Sequence, residues 1–291
     1  MSLPIIMHVN YCEQGQTLAE MCQKAVDWGY DGIEFRRKRS GVQETVEEYL
    51  DEIAKGVEKS GLKHVLFGGP GIDLVSPDLS VRKAQIAEGV HFYQQAAQRF
   101  HLTVCNVSAG AISRHAGAPS WDYHASGSGA ATEAHYMWAA EGFRELGHLA
   151  TELKFKMAFE THMGCLTDLP EPTQKVLDMI GSDAVGANLD YGNMVYFSKV
   201  PSLKETIATL SGQIFMVHLK NSHAVPVGDQ TFMVKCPLGD GLINNREFLK
   251  LLRADGFDGP ICIEAPRAGD REWFAQEDIA YLKSVLKDLA W

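Results

Sequence analysis

Short apolar runs rich in β-branched and aromatic residues alternate along this chain with longer segments whose apolar residues recur at helical spacing. The runs predict eight strands, at 5–10, 32–36, 64–68, 103–108, 155–161, 185–189, 214–219 and 260–264. Thr17-x-x-Glu20 is a capping-box signature ahead of Leu18, Met21, Cys22, Ala25 and Val26, a stripe that closes at Gly29. Ser202-x-x-Glu205 repeats it, and Asn244-x-x-Glu247 is a weaker version leading into Phe248, Leu251 and Leu252. A last helix is predicted at 276–289.

Such alternation implies a parallel sheet covered by helices, because the crossover between parallel strands needs a connection of about helix length. Eight units in 291 residues without a composition break predict one α/β domain over 1–291, a single (β/α)8 TIM barrel, for which about 250 residues is typical. A Rossmann sheet is the competing arrangement, supported only by Gly68-Gly69-Pro70-Gly71. Pro70 and the lack of a directly following helix make that run a poor dinucleotide fingerprint. The one long irregular stretch, 109–131, is rich in Gly, Ser, Ala and His and has the length of an active-site cover.

Charge narrows the function. A formal net charge of -10 disfavours a nucleic-acid surface, which needs clustered Lys and Arg; the one tight basic run is Arg36-Arg37-Lys38-Arg39. That run reads as a solvated loop or as a contact for an anionic or polyhydroxylated substrate. The six cysteines are scattered without a C-x-x-C pair and no secretory signal precedes them, so they are expected as reduced thiols of a cytoplasmic protein. No run approaches the roughly 20 apolar residues of a membrane span.

Chemistry gathers at strand ends. Glu160, Asp190, His218 and Glu264 each close a strand-like run, and loops after barrel strands build active sites. Four ionisable groups at one barrel mouth would repel one another or suffer desolvation unless a cation organised them. Three carboxylates and one imidazole form an oxygen-dominated set that suits one divalent ion, Mn²⁺ or Mg²⁺, and tolerates Co²⁺ or Zn²⁺. An internal hydrogen-bonded network is the alternative reading. Strand alternation also puts His162 on the side of Glu160.

The motifs Phe159-Glu160-Thr161-His162, Asn188-Leu189-Asp190-Tyr191-Gly192-Asn193, Val217-His218-Leu219-Lys220, Pro237-Leu238-Gly239-Asp240-Gly241 and Ile263-Glu264 resemble the xylose isomerase-like TIM-barrel superfamily. The likeness is to its sugar phosphate isomerase/epimerase group, which includes ketose 3-epimerases, hydroxypyruvate isomerases and inosose dehydratases. It implies that Glu160, Asp190, His218 and Glu264 bind one divalent ion, commonly manganese. It further implies that Glu160 and Glu264 exchange protons beside a carbonyl as a catalytic pair, and that homodimers or homotetramers are common. Two departures stand out: Asn193 where many relatives carry His, and Ala224 where ketose 3-epimerases carry a substrate-binding Arg.

Around this quartet, His162, Asn193, Lys220, His8, Glu34 and His223 are expected to contact substrate. His8 shares strand parity with Asn10, Glu34 closes the second strand, and Lys220 lies two residues past His218. His115, Trp121 and His124 offer stacking groups in the 109–131 loop. The expected function is a divalent-metal-dependent isomerase or epimerase of a ketose or keto-sugar derivative working through an enediolate, with a sugar or cyclic polyol as substrate. A dehydratase of the inosose or dehydroshikimate type starts from the same intermediate and is the alternative. An apurinic endonuclease would need further His ligands where this chain has Phe67 and Ser108, and a purely sugar-binding barrel would be expected to have lost Glu160 or Glu264.

Overall fold

Eight parallel strands line one sheet in the computed structural model, which describes residues 3–69, 72–228 and 230–291. They are β1 (Ile5–His8), β2 (Gly32–Arg36), β3 (His64–Gly68), β4 (Val104–Val107), β5 (Lys156–Glu160), β6 (Val185–Leu189), β7 (Ile214–Leu219) and, after a hairpin of β8 (Ser222–Val227) and β9 (Gln230–Lys235), the short β10 (Ile261–Ile263). The order β3-β2-β1-β10-β7-β6-β5-β4 curls the sheet round until its edge strands are neighbours, a nearly closed (β/α)8 TIM barrel. Of the Gly-rich run after β3, Pro70 and Gly71 lie outside the described residues.

Helices α1 (Leu18–Trp28), α2 (Val46–Ser60), α3 (Leu79–Ala97), α4 (Glu133–Leu153), α5 (Pro170–Ile180), the single turn α6 (Tyr191–Met194), α7 (Leu203–Thr209), α8 (Asn245–Ala254) and α9 (Arg271–Asp288) fill the connections. Their starts follow the capping chemistry. Thr17 accepts from the Glu20 amide while the Glu20 carboxylate accepts from the Thr17 amide, and Thr45 with Glu48 and Ser202 with Glu205 do the same. The last helix begins earlier than predicted because Asp270 caps it by accepting from the Trp273 amide. The first strand is shorter than predicted: His8 accepts from the Asn10 amide and turns residues Val9–Tyr11 into a 3-10 turn.

Side-chain alternation sorts the sheet into two faces. Ile33, Phe35, Met157, Phe159, Ala187, Leu189, Val217 and Ile263 point outward to the helices and belong to the main core. Ile6, Leu66, Val104, Ala158, Met216 and Cys262 point inward and plug the barrel with a separate apolar cluster. Two residues further along, the inward position is polar on five of these strands, and on β3 it is Gly68.

The β8–β9 hairpin was not anticipated. It is antiparallel, pairs Ser222 with Lys235 and Val225 with Phe232, and stands outside the barrel sheet between β7 and α8. Pro226 breaks its alternation, which hides it from pattern reading. It also explains why the interval from His218 to Glu264 is longer than those between the earlier strand-end residues.

Candidate metal centre

The polar layer above the apolar plug is built from His8 on β1, Glu34 on β2, Asn106 on β4, Glu160 on β5, His218 on β7 and Glu264 after β10. Asp190, one residue past β6, caps α6 by accepting from the Asn193 amide at 3.2 Å. One donor atom each from Glu160, Asp190, His218 and Glu264 lies within 4.8 Å of the others. Asp190 and His218 are sealed off, whereas the Glu160 and Glu264 side chains keep 17% of their surface open. The sequence quartet therefore converges, with two members inside and two at the opening.

His218 is held at both nitrogens. Nε2 meets Glu34 Oε2 at 2.7 Å, and Nδ1 faces Glu264 Oε2 at 2.9 Å, with Asp190 Oδ2 at 3.8 Å and Glu160 Oε1 at 3.9 Å. Burial opposes the charged imidazole, but Glu34 and its neighbours outweigh it and hold the pKa well above the usual histidine range. Burial likewise pushes the Glu34 carboxyl up, yet His218 and His8 hold it down at about 2. Glu34 also accepts from Asn106 Nδ2 at 3.1 Å, and that same amide reaches Glu160 Oε2 at 3.0 Å.

Lys220 and Asn193 tie the quartet together from the other side. Lys220 Nζ lies 2.7 Å from Asp190 Oδ2, 2.9 Å from Glu264 Oε2 and 3.2 Å from Asn193 Oδ1. Asn193 Nδ2 donates to Glu160 Oε1 at 3.0 Å, Asp190 Oδ2 at 2.9 Å and the Thr161 carbonyl at 3.1 Å. Burial pushes the Glu264 carboxyl up, but Lys220, His8 and His218 carry it well below the usual range. For Asp190 burial wins over Lys220, with a pKa raised to about 6.

The expected substrate contacts divide. His162 is exposed at the mouth, its Nδ1 2.9 Å from the Met163 carbonyl oxygen. His8 is buried with its ring edge-on to His218, centroids 5.9 Å apart. Glu34 is not at the mouth: its carboxylate is fully buried beneath His218, because β2 aims its middle residue down the barrel axis. Asn193 spends its amide on carboxylates, and Lys220 its ammonium. His223 sits on the exposed hairpin, paired with Asp240 at 3.1 Å. In the basic run, Arg36 pairs with Glu13 through two hydrogen bonds, Arg39 with Glu44 and Glu52, and Arg37 is buried.

Sequence reasoning missed Asn10 and Asn106. Asn10 Nδ2 donates to Glu264 Oε1 at 3.2 Å, and its buried Oδ1 has no partner among the described residues. The signal was available in the strand parity Asn10 shares with His8. The 109–131 loop docks on the segment after β5: the Ile112 amide donates to the Gly164 carbonyl and the Ser128 amide to Asp168 Oδ2. Its Tyr123 packs on Tyr196 and its His124 on Phe197, both past β6, while Trp121 stays exposed.

The donor set fits one hard divalent ion. Four carboxylates converge where Lys220 and His218 are the cations in contact with them among the described residues, and the four donor atoms of the quartet are close enough to share a single centre. All six cysteines are free thiols, and none belongs to that quartet. Among the described residues, no helix is long and apolar enough to cross a membrane.

Fold and site together define a TIM barrel with an acid-rich centre at the C-terminal ends of its strands. The chain belongs to the xylose isomerase-like TIM barrel family, whose model matches residues 22–285. An inosose dehydratase of Clostridium perfringens is 27% identical over 138 residues, 43% of this chain and 46% of the relative. The chain thus spans about half the length of the curated relatives it matches. A xylose isomerase-like TIM barrel protein from Mycobacterium smegmatis, in complex with magnesium, has the same fold with a TM-score of 0.76 at 18% identity, covering 99% of this chain and 97% of that one. The 3-keto-D-glucoside 4-epimerase YcjR of E. coli aligns with a TM-score of 0.74 at 14% identity over 97% of this chain and 100% of its own.

Proposed function

We propose that the protein is a divalent-metal-dependent isomerase or epimerase of a ketose or keto-sugar derivative, with Mn²⁺ as the ion. Glu160, Asp190, Glu264 and Nδ1 of His218 would hold it. A bound divalent ion would polarise the substrate carbonyl and stabilise the charge left by proton removal.

The observation that carries this reading is the contrast in exposure within the quartet. Glu160 and Glu264 keep 17% of their side chains open while Asp190 and His218 have none. The two open carboxylates come from β5 and from the end of β10, on either side of the β6–β7 pair. Each can therefore address a different face of a carbon lying between them. One removes the proton beside the carbonyl and the other returns it, and an enediolate lies between the two transfers. Asn106 and Asn193 hold Glu160 by donating to separate oxygens, and Asn10, Lys220 and His218 hold Glu264. His162, exposed beside the opening, can bond a substrate hydroxyl.

Dehydration is the second reading, favoured by the similarity to an inosose dehydratase. It uses the same proton removal and differs only in expelling a β-hydroxyl from the enediolate. Incubating Mn²⁺-loaded protein in D2O with ketoses, keto-inositols and dehydroshikimate separates the two. Deuterium in a recovered epimer or isomer supports the first reading, and a new enone or diketone absorbance the second. Glu160→Gln and Glu264→Gln should each abolish exchange, and both should weaken Mn²⁺ binding measured by electron paramagnetic resonance. A wild-type protein that takes up no divalent ion and exchanges no substrate proton would overturn both.

A further inference from the structure

The hairpin after β7 has two unlike faces. His223, Val225, Val227, Phe232 and Val234 lie on one, all exposed. The other carries Ser222 and Lys235, which are directly opposite each other in the ladder. Ser222 is buried two residues past Lys220, and its hydroxyl lies beside the phenol of Tyr196. Tyr196 in turn feels the charges of Lys220 and Asp190. The base of the hairpin on that face therefore stands beside the metal centre.

Lys235 differs from Lys220 and Arg36 in its pairing. Lys220 is matched to two carboxylates, and Arg36 to Glu13. Lys235 is half-buried and within electrostatic reach of Lys220, Glu264, Asp190 and Glu160, yet its amine forms no ion pair or hydrogen bond among the described residues. Burial and then Lys220 lower its pKa. A partly desolvated ammonium without a counter-ion is costly, and an anionic ligand group removes that cost far better than a hydroxyl.

We propose that Lys235 is a specificity-determining residue that takes the terminal carboxylate of a keto-sugar acid whose carbonyl end lies at the quartet. The proposal rests on the functional reading above and adds its substrate class. Ala224 leaves the first hairpin strand without a cationic grip, and Lys235 supplies one from the second. The one cation named within reach of Lys235, Lys220, is already matched to two carboxylates, so a single ammonium is on offer, and it matches one carboxylate charge better than a phosphate.

The test compares equilibrium affinities of Mn²⁺-loaded protein for fructose, fructuronate and fructose 6-phosphate, with metal content measured on the same samples. Wild type should prefer fructuronate over fructose. Lys235→Gln should reduce that preference by about 10- to 100-fold, the weight of one charge-assisted hydrogen bond, while Lys235→Arg should keep most of it. Melting curves check that each variant folds, and the Arg variant keeps the comparison valid if Gln disturbs the hairpin. A preference that survives Lys235→Gln, or one for the phosphate alone, overturns the proposal while leaving the metal-dependent reading standing. A protein that takes up no Mn²⁺ overturns that reading and this one with it.

Discussion

Oε2 of Glu34 and Nε2 of His218 are 2.7 Å apart at the centre of the barrel, and neither side chain touches solvent. The contact fixes which nitrogen of His218 faces the quartet. With Nε2–H donated to Glu34, Nδ1 is the atom presented to Glu264, Asp190 and Glu160. Substituting Glu34 by Gln should lower Mn²⁺ affinity by roughly 10- to 100-fold, although Glu34 is not one of the four donors. A titration followed by electron paramagnetic resonance measures this, and an unchanged affinity would mean the contact does not orient the imidazole.

Gly68 makes room for that arrangement. A β-carbon on it would collide with Glu34 Oε1 and come within 3.3 Å of Asn106 Nδ2. The strand backbone is fixed by pairing with β2, so Glu34 must yield. Gly68→Ala should thus reproduce the metal-affinity loss of Glu34→Gln and also cost about 1–3 kcal/mol of stability through overpacking. Denaturant melts and the same metal titration, made side by side, check both outcomes.

Asp168 is fully buried, accepts from the Ser128 amide through Oδ2 and leaves Oδ1 without a partner among the described residues. Burial pushes its pKa up from 3.8 to about 6, outweighing the Ser128 hydrogen bond. The folded protein therefore holds this proton more tightly than the unfolded chain. The associated stability, about 3 kcal/mol, is fully present below pH 3.8 and is lost as the pH rises through about 6. Asp168→Asn should flatten that part of the pH–stability curve and raise stability at pH 7. Denaturant melts of both proteins between pH 4 and pH 7 provide the comparison, and parallel curves would show that Asp168 does not titrate there.

Gly127 joins the 109–131 loop to the same carboxylate. It has a φ of 57°, and a β-carbon on it would strike Asp168 Oδ2 and the Cys165 carbonyl. Gly127→Ala should release the loop from the segment after β5. Limited proteolysis should then cut within 109–131 about 5- to 100-fold faster, as expected if undocking is made easier by about 1–3 kcal/mol. An unchanged cleavage rate would show that the loop stays docked without this glycine.

The barrel and the quartet were legible in the sequence because both are periodic. Strand alternation fixes which side chains point inward, and a polar residue closing an apolar run is conspicuous, so Glu160, Asp190, His218 and Glu264 could be read one strand at a time. The hairpin was not legible, since Pro226 interrupts its pattern and its apolar face is exposed instead of buried. Glu34 and Asn193 were recognised as polar residues of the site, but their placement depends on partners from other strands. His218 is far from Glu34 in sequence, and Glu160 far from Asn193.

By itself the sequence determined the alternation of strands and helices, the helix caps, and the set of acids and imidazole delivered to one end of the barrel. These follow from local hydrogen bonding and from side-chain period. Only the tertiary structure decided which of those groups are sealed and which are open, that Glu34 lies under His218, and that a hairpin sets Lys235 opposite Ser222. Exposure and pairing depend on distances between segments remote in the chain, and closure of the barrel is what sets those distances.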